Sequence, residues 1–382
     1  MSSIAIVGAG PAGTSAAIHL VGQGHEVCLF EKSAFPRDKP CGDWLTPLAL
    51  QEIEALGLDM ESLRRQAGVS APIARTALRA PSGRTSRAVL RRHGCEVQGL
   101  CVPRARLDAV LAARAVHAGC SLVRRACAEV TAQTPDFEAF DLVVDARGSA
   151  AGPVNAAGLR GYWTVRSESM VAAWADEVSI RTDPACRRGY GWVFPVDVRE
   201  DRITFNIGVG LWKADIRPGH GPRERLARFL VEDPLARMVE AAAIERTRPV
   251  GFPLALGGWS SPVVGRGRWA RIGDAAALAD PLTGDGIGNA LLSGRLLAEA
   301  VARSSSAGLG PTPAVAPGDA WQASFEASLQ PELRRAWCMR QLLTGTRAKD
   351  TAAWMLDRFP GGLRERMHAA LFGACGYRQA WF

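Results

Sequence analysis

Ile4-Ala5-Ile6-Val7-Gly8-Ala9-Gly10-Pro11-Ala12-Gly13 stands almost at the start of the chain, and Glu26-Val27-Cys28-Leu29-Phe30-Glu31 follows after one helix-length interval. The first apolar run reads as a short strand, Thr14 to Gln23 as a helix, and the second apolar run as a strand that ends in an acid. Strand, glycine turn, helix, strand and acid, in that order, form a βαβ unit that binds dinucleotides. Each glycine meets a separate demand. Gly8 permits the tight turn, Gly10 lets the backbone approach a pyrophosphate, and Gly13 lets the helix close on the strand. Ala12 lies in the same turn, at the helix N-terminus whose dipole favours the pyrophosphate charge. Glu31 is placed to accept hydrogen bonds from a ribose, with Lys32 next to it at the strand end.

Composition bounds the class. A chain of 382 residues with 47% hydrophobic content can bury a sizeable core and fits one large or two intimate domains. The first strand begins at once, leaving no room for a secretion signal, and no apolar run is long enough to span a bilayer, so a cytoplasmic protein is expected. The nine cysteines show no CxxC or Cys/His spacing, which speaks against a disulfide framework or a zinc site, and the six histidines show no triad or metal spacing. No metal is expected. The net charge of +8 is concentrated: thirteen arginines between Glu61 and Arg125 face only Glu61, Glu96 and Asp108. Such a surface attracts phosphate-bearing cofactors, an acidic carrier protein or anionic lipid, although four lysines in the whole chain also fit the arginine-rich codon usage of a GC-rich genome. Nucleic acid is not expected, because the basic stretch lacks interleaved aromatics.

Along the chain, Lys32 to Pro47 is a proline-bearing loop centred on Lys39-Pro40-Cys41-Gly42-Asp43-Trp44, and Leu48 to Leu56 predicts a short helix. Ser70 to Val102 alternates like strands around a turn at Pro81-Ser82-Gly83, and Val102 to Ala118 predicts a helix. Ser121 to Val130 and Asp141 to Ala146 return to the strand pattern. Gly161 to Gly210 reads as β, with apolar runs at Met170 to Trp174, Tyr190 to Val196 and Ile203 to Val209. Arg223 to Val239 is helical with a break at Asp233-Pro234, Trp269 to Ile272 is a strand, and Asn289 to Ala302 is a helix. Arg303 to Gly318, rich in Ser, Gly and Pro, reads as a loop. From Asp319 to Phe372 the pattern is helical, with Trp321, Phe325, Leu329, Leu333 and Trp337 four residues apart. The expected class is α/β. A Rossmann-like dinucleotide-binding domain (1–70, 101–160 and 265–302) interleaves with a mainly antiparallel substrate-binding sheet (71–100 and 161–264), and a helical C-terminal region (303–382) follows.

Two further motifs join the opening unit. One is Gly273-Asp274 running to Gly284-Asp285-Gly286-Ile287-Gly288; the other is Gly189-Tyr190-Gly191-Trp192-Val193-Phe194-Pro195 with Asn206-Ile207-Gly208-Val209-Gly210. Together the three resemble the FAD-dependent geranylgeranyl reductase group. That group lies within the flavoproteins built like para-hydroxybenzoate hydroxylase, which also include flavin monooxygenases and flavin-dependent halogenases. The resemblance implies that Asp274 holds the ribityl chain of FAD, that Gly284, Gly286, Ile287 and Gly288 face the pyrophosphate and flavin, and that Arg104 lies near the FAD. It also implies a reacting centre between Cys41, as proton donor, and Tyr190 and Trp192. Trp44, Phe194, Pro195 and Gly208 would line the substrate, and Tyr190, Trp192 and Phe194 share one face of their strand by its period of two.

The implied activity is hydride transfer between flavin and a carbon–carbon bond of a lipophilic isoprenoid or natural-product intermediate, in the reducing or the dehydrogenating direction. An FAD-dependent monooxygenase is the alternative, and a non-catalytic FAD-binding accessory protein a weaker one. The substrate would be free or carrier-bound, met in solution or at a membrane surface without spanning it. With one dinucleotide unit, NAD(P)H as reductant would act from a transient or external site. Some features depart from the pattern. Asp145-Ala146-Arg147-Gly148 replaces the Asp-Gly pair of many monooxygenases, and Tyr190 replaces the first tryptophan of the halogenases. Lys32, Lys39, Lys213 and Lys349 lie outside the segment where a halogenase lysine is expected, so halogenation is not. Asp43-Trp44 stands where the reductases continue with glycine, which remodels the pocket beside Cys41.

Overall fold

The computed structural model describes residues 1–69, 71–182, 188–258, 260–307 and 315–378. The opening unit folds as its sequence requires: strand Ser3–Val7, helix α1 (Pro11–Gly22) and strand Glu26–Glu31. Gly8 has a φ of +109°, and a Cβ there would lie 2.3 Å from the Ala146 carbonyl oxygen. A Cβ on Gly13 would lie 1.9 Å from the Gly8 carbonyl oxygen, so only glycine lets α1 close on its own strand. Among the described residues these strands belong to a six-stranded sheet in the order 121–124, 26–31, 3–7, 142–145, 269–271 and 265–266, parallel except for its last pair.

Helices α2 (Pro47–Ala55), α3 (Met60–Ala67) and α4 (Arg104–Ala118) follow in the chain. The second sheet runs in the order 243–246, 156–166, 202–212, 189–198, 177–182, 75–79 and 85–89. Strand 250–254 also pairs with 156–166. All its pairs are antiparallel except 177–182 with 75–79. This is the α/β class expected, with the parallel and antiparallel sheets interleaved along the chain.

The two faces of the second sheet have different partners. Val193, Ile207 and Val209 pack outward under α6 (Pro222–Glu232) and α7 (Pro234–Ala242). A Cβ on Gly191 would meet the Phe229 ring at 2.5 Å, so that glycine lets α6 seat on the sheet. Trp192, Phe194 and Val196 pack inward with Ala369 and Phe372. The expected alternation of the aromatic strand is therefore present.

Some expected elements differ. Met170 to Trp174 forms part of helix α5 (Glu168–Trp174), not a strand; Ser167 caps it by accepting from the Met170 N–H at 3.3 Å, which releases the short apolar run from the sheet. The strand expected over Ser121 to Val130 stops at Arg124. The helix expected to end at Ala302 continues as α8 (Ile287–Ala307), and α9 (Pro317–Ala327) begins at a proline suited to a first turn, so the loop read over 303–318 is helical at both ends. The remainder of that loop, 308–314, lies outside the described residues.

The C-terminal region then folds as α10 (Leu329–Leu342), α11 (Thr346–Arg358) and α12 (Gly361–Leu371). Trp321, Phe325, Leu329 and Leu333 are buried in the core of the first sheet, while Trp337 meets Trp212 edge-on with Arg340 against both rings. His368 docks α12 on the 75–89 hairpin: its two ring nitrogens lie 2.9 Å from the Thr76 and Ser86 hydroxyls, and burial lowers its pKa to about 4, keeping it neutral.

The arginine-rich segment is not a bare cationic patch. Arg64, Arg75, Arg79, Arg84, Arg87, Arg91, Arg104, Arg106 and Arg125 each pair with an acid, several from distant parts of the chain.

The glycine turn gives a direct stability test. Gly13→Ala is expected to cost about 2 kcal/mol or more in urea denaturation, because backbone must move to admit the methyl. A Cβ on Gly10 meets nothing closer than 3.8 Å, so Gly10→Ala should cost no more than about 1 kcal/mol.

Candidate active site

A cavity of about 810 Å³ runs from the glycine turn to the aromatic strand. Its first end is charged. The fully buried Asp108 accepts from Arg104 Nε at 2.8 Å and Nη2 at 2.9 Å, and from Arg37 Nη1 at 2.8 Å. Burial opposes the Arg104 charge, yet the adjoining Asp108 carboxylate raises its pKa overall, so it stays a cation. The Nη2 atoms of Arg37 and Arg104 come to 3.8 and 4.0 Å from where a Gly10 Cβ would stand. Two guanidinium groups and the start of α1, whose N-cap Gly10 carries no capping side chain, thus converge on one point. Glu31 is buried beside them, with Oε2 accepting from the Ala9 N–H and Oε1 from the Ser33 N–H, each at 3.0 Å. Lys32 lies exposed on the rim. Further along, Lys39 Nζ pairs with Asp274 Oδ2 at 2.9 Å, and a Gly286 Cβ would stand 3.3 Å from Asp274 Oδ1. Cations, an open helix start and two acids lining one slot fit the diphosphate and ribose hydroxyls of a dinucleotide.

The second end is aromatic. Tyr190, Trp192 and Phe194 face the cavity with Trp44, Phe252, Leu371 and Phe372. The Trp192 and Phe194 rings are stacked at 6.3 Å, and Trp44 tilts against Phe194 at 6.5 Å. The Tyr190 hydroxyl donates to the Thr283 carbonyl and lies 2.6 Å from where a Gly284 Cβ would stand, so Tyr190 clasps the turn that leads into α8. Asp280 holds the base of that turn by accepting from the Leu282 and Thr283 N–H groups, each at 2.8 Å. Asp285 Oδ1 accepts from the Gly288 N–H at 3.1 Å and Oδ2 from the Thr46 hydroxyl at 3.3 Å; burial pushes its pKa up to about 6.

The structure brings together most residues singled out from the sequence. Gly8, Gly10, Ala12, Glu31, Lys32, Arg104, Asp274, Gly284, Gly286 and Ile287 line the charged part of the cavity or the turn beside it, and Cys41, Trp44, Tyr190, Trp192 and Phe194 line the rest. Gly13 and Gly288 lie behind the wall as packing and capping positions. Gly208 sits under Trp192: a Cβ there would lie 2.3 Å from Trp192 Cζ2, so the glycine makes room for the indole and does not touch the cavity itself. Pro195 points to the opposite face of its strand from Trp192 and Phe194 and lines no part of the cavity. Sequence reasoning gave no role to the side chains of Arg37, Lys39, Asn206 and Asp285, and noted Asp43 only as a departure that remodels the pocket beside Cys41. Asn206 did leave a signal, as a lone amide inside the apolar run Ile203 to Val209.

Comparison with known proteins agrees with this geometry. The family described as FAD binding domain matches residues 1–159. The menaquinone reductase of Mycobacterium tuberculosis is 31% identical over 341 residues, covering 78% of this chain and 76% of that protein. The chain belongs to the geranylgeranyl reductase-like family of FAD-dependent oxidoreductases. A second relative, the digeranylgeranylglycerophospholipid reductase of Methanoculleus marisnigri, is 31% identical over 352 residues, covering 84% of this chain and 82% of its own. The crystal structure of a geranylgeranyl bacteriochlorophyll reductase-like protein from Thermoplasma acidophilum superposes with a TM-score of 0.77 over 99% of this chain and 97% of that one; at 19% identity this likeness speaks to the fold. In this geranylgeranyl reductase-like enzyme, Arg37, Arg104 and the α1 N-terminus would meet the diphosphate of FAD, Glu31 a ribose, and Asp274 and the 284–288 turn the flavin end.

Asp285 carries a pH signature. Its ordinary pKa of 3.8 rises to about 6 in the fold, so its neutral form stabilises the protein below about pH 4, and that contribution is lost as pH rises through about 6. Asparagine can keep both of its hydrogen bonds without the buried charge. The melting temperature of Asp285→Asn relative to wild type is therefore expected to rise between about pH 4.5 and 7.5, by the equivalent of up to about 1.4 kcal/mol per pKa unit; an unchanged difference would show that Asp285 is not shifted.

Proposed function

We propose that this enzyme uses FAD to reduce carbon–carbon double bonds in the isoprenoid part of a lipophilic substrate. The division of the cavity carries this reading: cations gather where a diphosphate would lie, and no described side chain at the aromatic end bears a positive charge. An anionic or strongly polar substrate would find no partner there, whereas an unsaturated hydrocarbon gains from burial against Trp44, Trp192, Phe194 and Phe372. Two relatives are named for menaquinone and for digeranylgeranylglycerophospholipid, both lipids with isoprenoid chains, which supports the substrate class.

Bound and reduced, FAD would supply hydride to one carbon of the double bond. The second carbon needs a proton. Cys41 lies in the cavity wall between the charged and aromatic ends, and burial pushes its thiol pKa up, with Arg104 opposing the rise. A thiol that keeps its proton at neutral pH suits an acid and not a nucleophile. Cys41 would give up that proton as the carbon is reduced and regain one from solvent. Tyr190 and Trp192 would hold the alkene flat against the flavin side and exclude water, Tyr190 being fixed at its hydroxyl end by Thr283.

Cys41→Ala is expected to lower kcat for double-bond reduction about 100-fold while KM changes little. The same assay under heavy-oxygen gas separates reduction from oxygenation. The product should gain two hydrogens and no label; one labelled oxygen per turnover would overturn the proposal in favour of a monooxygenase.

A further inference from the structure

We propose that the buried pair Asp43 and Asn206 is a positioning device that fixes the Cys41 loop against Trp192, setting where the Cys41 thiol stands in the cavity. Its catalytic consequence rests on the reading of Cys41 as the proton donor. Asp43 has no exposed surface, and three groups from separate parts of the fold donate to its carboxylate. The Arg104 backbone N–H at the start of α4 donates to Oδ1 at 3.1 Å, while the Tyr162 hydroxyl and the Asn206 amide donate to Oδ2 at 2.6 and 2.8 Å.

Asn206 is equally committed. Its Nδ2 also donates to the Cys41 carbonyl at 2.7 Å, and its Oδ1 accepts from the Trp192 indole N–H at 2.9 Å. Both amide hydrogens and the carbonyl are used, so a flipped side chain would set donor against donor and acceptor against acceptor. One amide therefore ties the loop bearing Cys41, through its own carbonyl, to the indole that faces it. The loop has little freedom to choose another shape. Asp43 adopts a left-handed φ of +65°, unusual for a residue with a side chain, and a Cβ on Gly42 would stand 3.2 Å from the Phe194 ring. The Asp43 carbonyl is held too, by the Val102 N–H at 2.8 Å. Burying a carboxylate where an apolar residue would fill the space is costly, and what it gains here is direction: each bond points a cavity element at another.

Two readouts on the FAD-loaded enzyme test this: the rate at which iodoacetamide alkylates Cys41, resolved by peptide mass spectrometry, and kcat and KM on the same preparations. Whichever way its amide turns, Asp43→Asn sets an N–H against the Arg104 backbone N–H or against the Asn206 amide and the Tyr162 hydroxyl. Cys41 is then expected to be alkylated about 10-fold faster or slower than in wild type, while the exposed Cys338 is unchanged. Tyr162→Phe removes one of the three donors and should shift the Cys41 rate by about threefold in the same direction. If Asp43→Asn does not retain FAD, Tyr162→Phe decides by that readout. An unchanged Cys41 rate in a variant that retains FAD overturns the positioning role. The turnover arm tests the mechanism separately: kcat is expected to fall about 10-fold with KM nearly constant. A shifted alkylation rate with normal kcat would leave the tie standing and remove Cys41 from the chemistry.

Discussion

The close crossing of α1 and α8 is the constraint on which the site depends. A Cβ on Gly294 would stand 2.6 Å from the Ala16 nitrogen and 2.7 Å from the Ala12 carbonyl oxygen, so the two helices meet backbone to backbone. The Ser15 hydroxyl donates to the Leu291 carbonyl at 2.7 Å across the same crossing. Because each helix begins at one of the glycine-rich turns, this contact sets Gly10 and Gly286 on the wall of one cavity although Ser15 and its partner on α8 lie 276 residues apart. A bulkier residue at Gly294 would part the two turns and leave each with half a binding site.

Across that frame the chain distributes charge unevenly, and the division matters more than the amount. Arg37 and Arg104 share Asp108, Lys39 has Asp274, and nine of the thirteen arginines between Glu61 and Arg125 each have an acidic partner among the described residues. The aromatic end is instead built from a strand whose alternate residues face inward and from the last turn of α12 with Phe372, anchored through the neutral His368. A cofactor with a polar body and a flat redox end fits such a cavity, with an apolar substrate at the far side.

Features of the sequence that were legible were local ones. Gly8 and Gly13 are dictated by contacts within a few residues or one strand away, and the aromatic alternation from Tyr190 to Phe194 follows from the pleat alone. Met170 to Trp174 was misread because five apolar residues carry no period, and only the cap at Ser167 separates helix from strand. The contact between Asp43 and Asn206 was out of reach for another reason: they lie 163 residues apart, and nothing in either neighbourhood says that a carboxylate in a proline-bearing loop will be buried against an amide in a strand. Pro195 shows the opposite limit, since a motif can be read correctly while one member serves the strand and not the cavity.

FAD bound in this cavity would hand reducing equivalents to an apolar alkene without oxygen. Mixing the photoreduced, FAD-loaded enzyme with menaquinone or a geranylgeranylated lipid under argon, and following the flavin absorbance, tests it most directly. Reoxidation of the flavin is expected together with a product two hydrogens heavier in its isoprenoid chain, as located by fragmentation in the mass spectrometer. Flavin that stays reduced with both lipids until oxygen is admitted would contradict it.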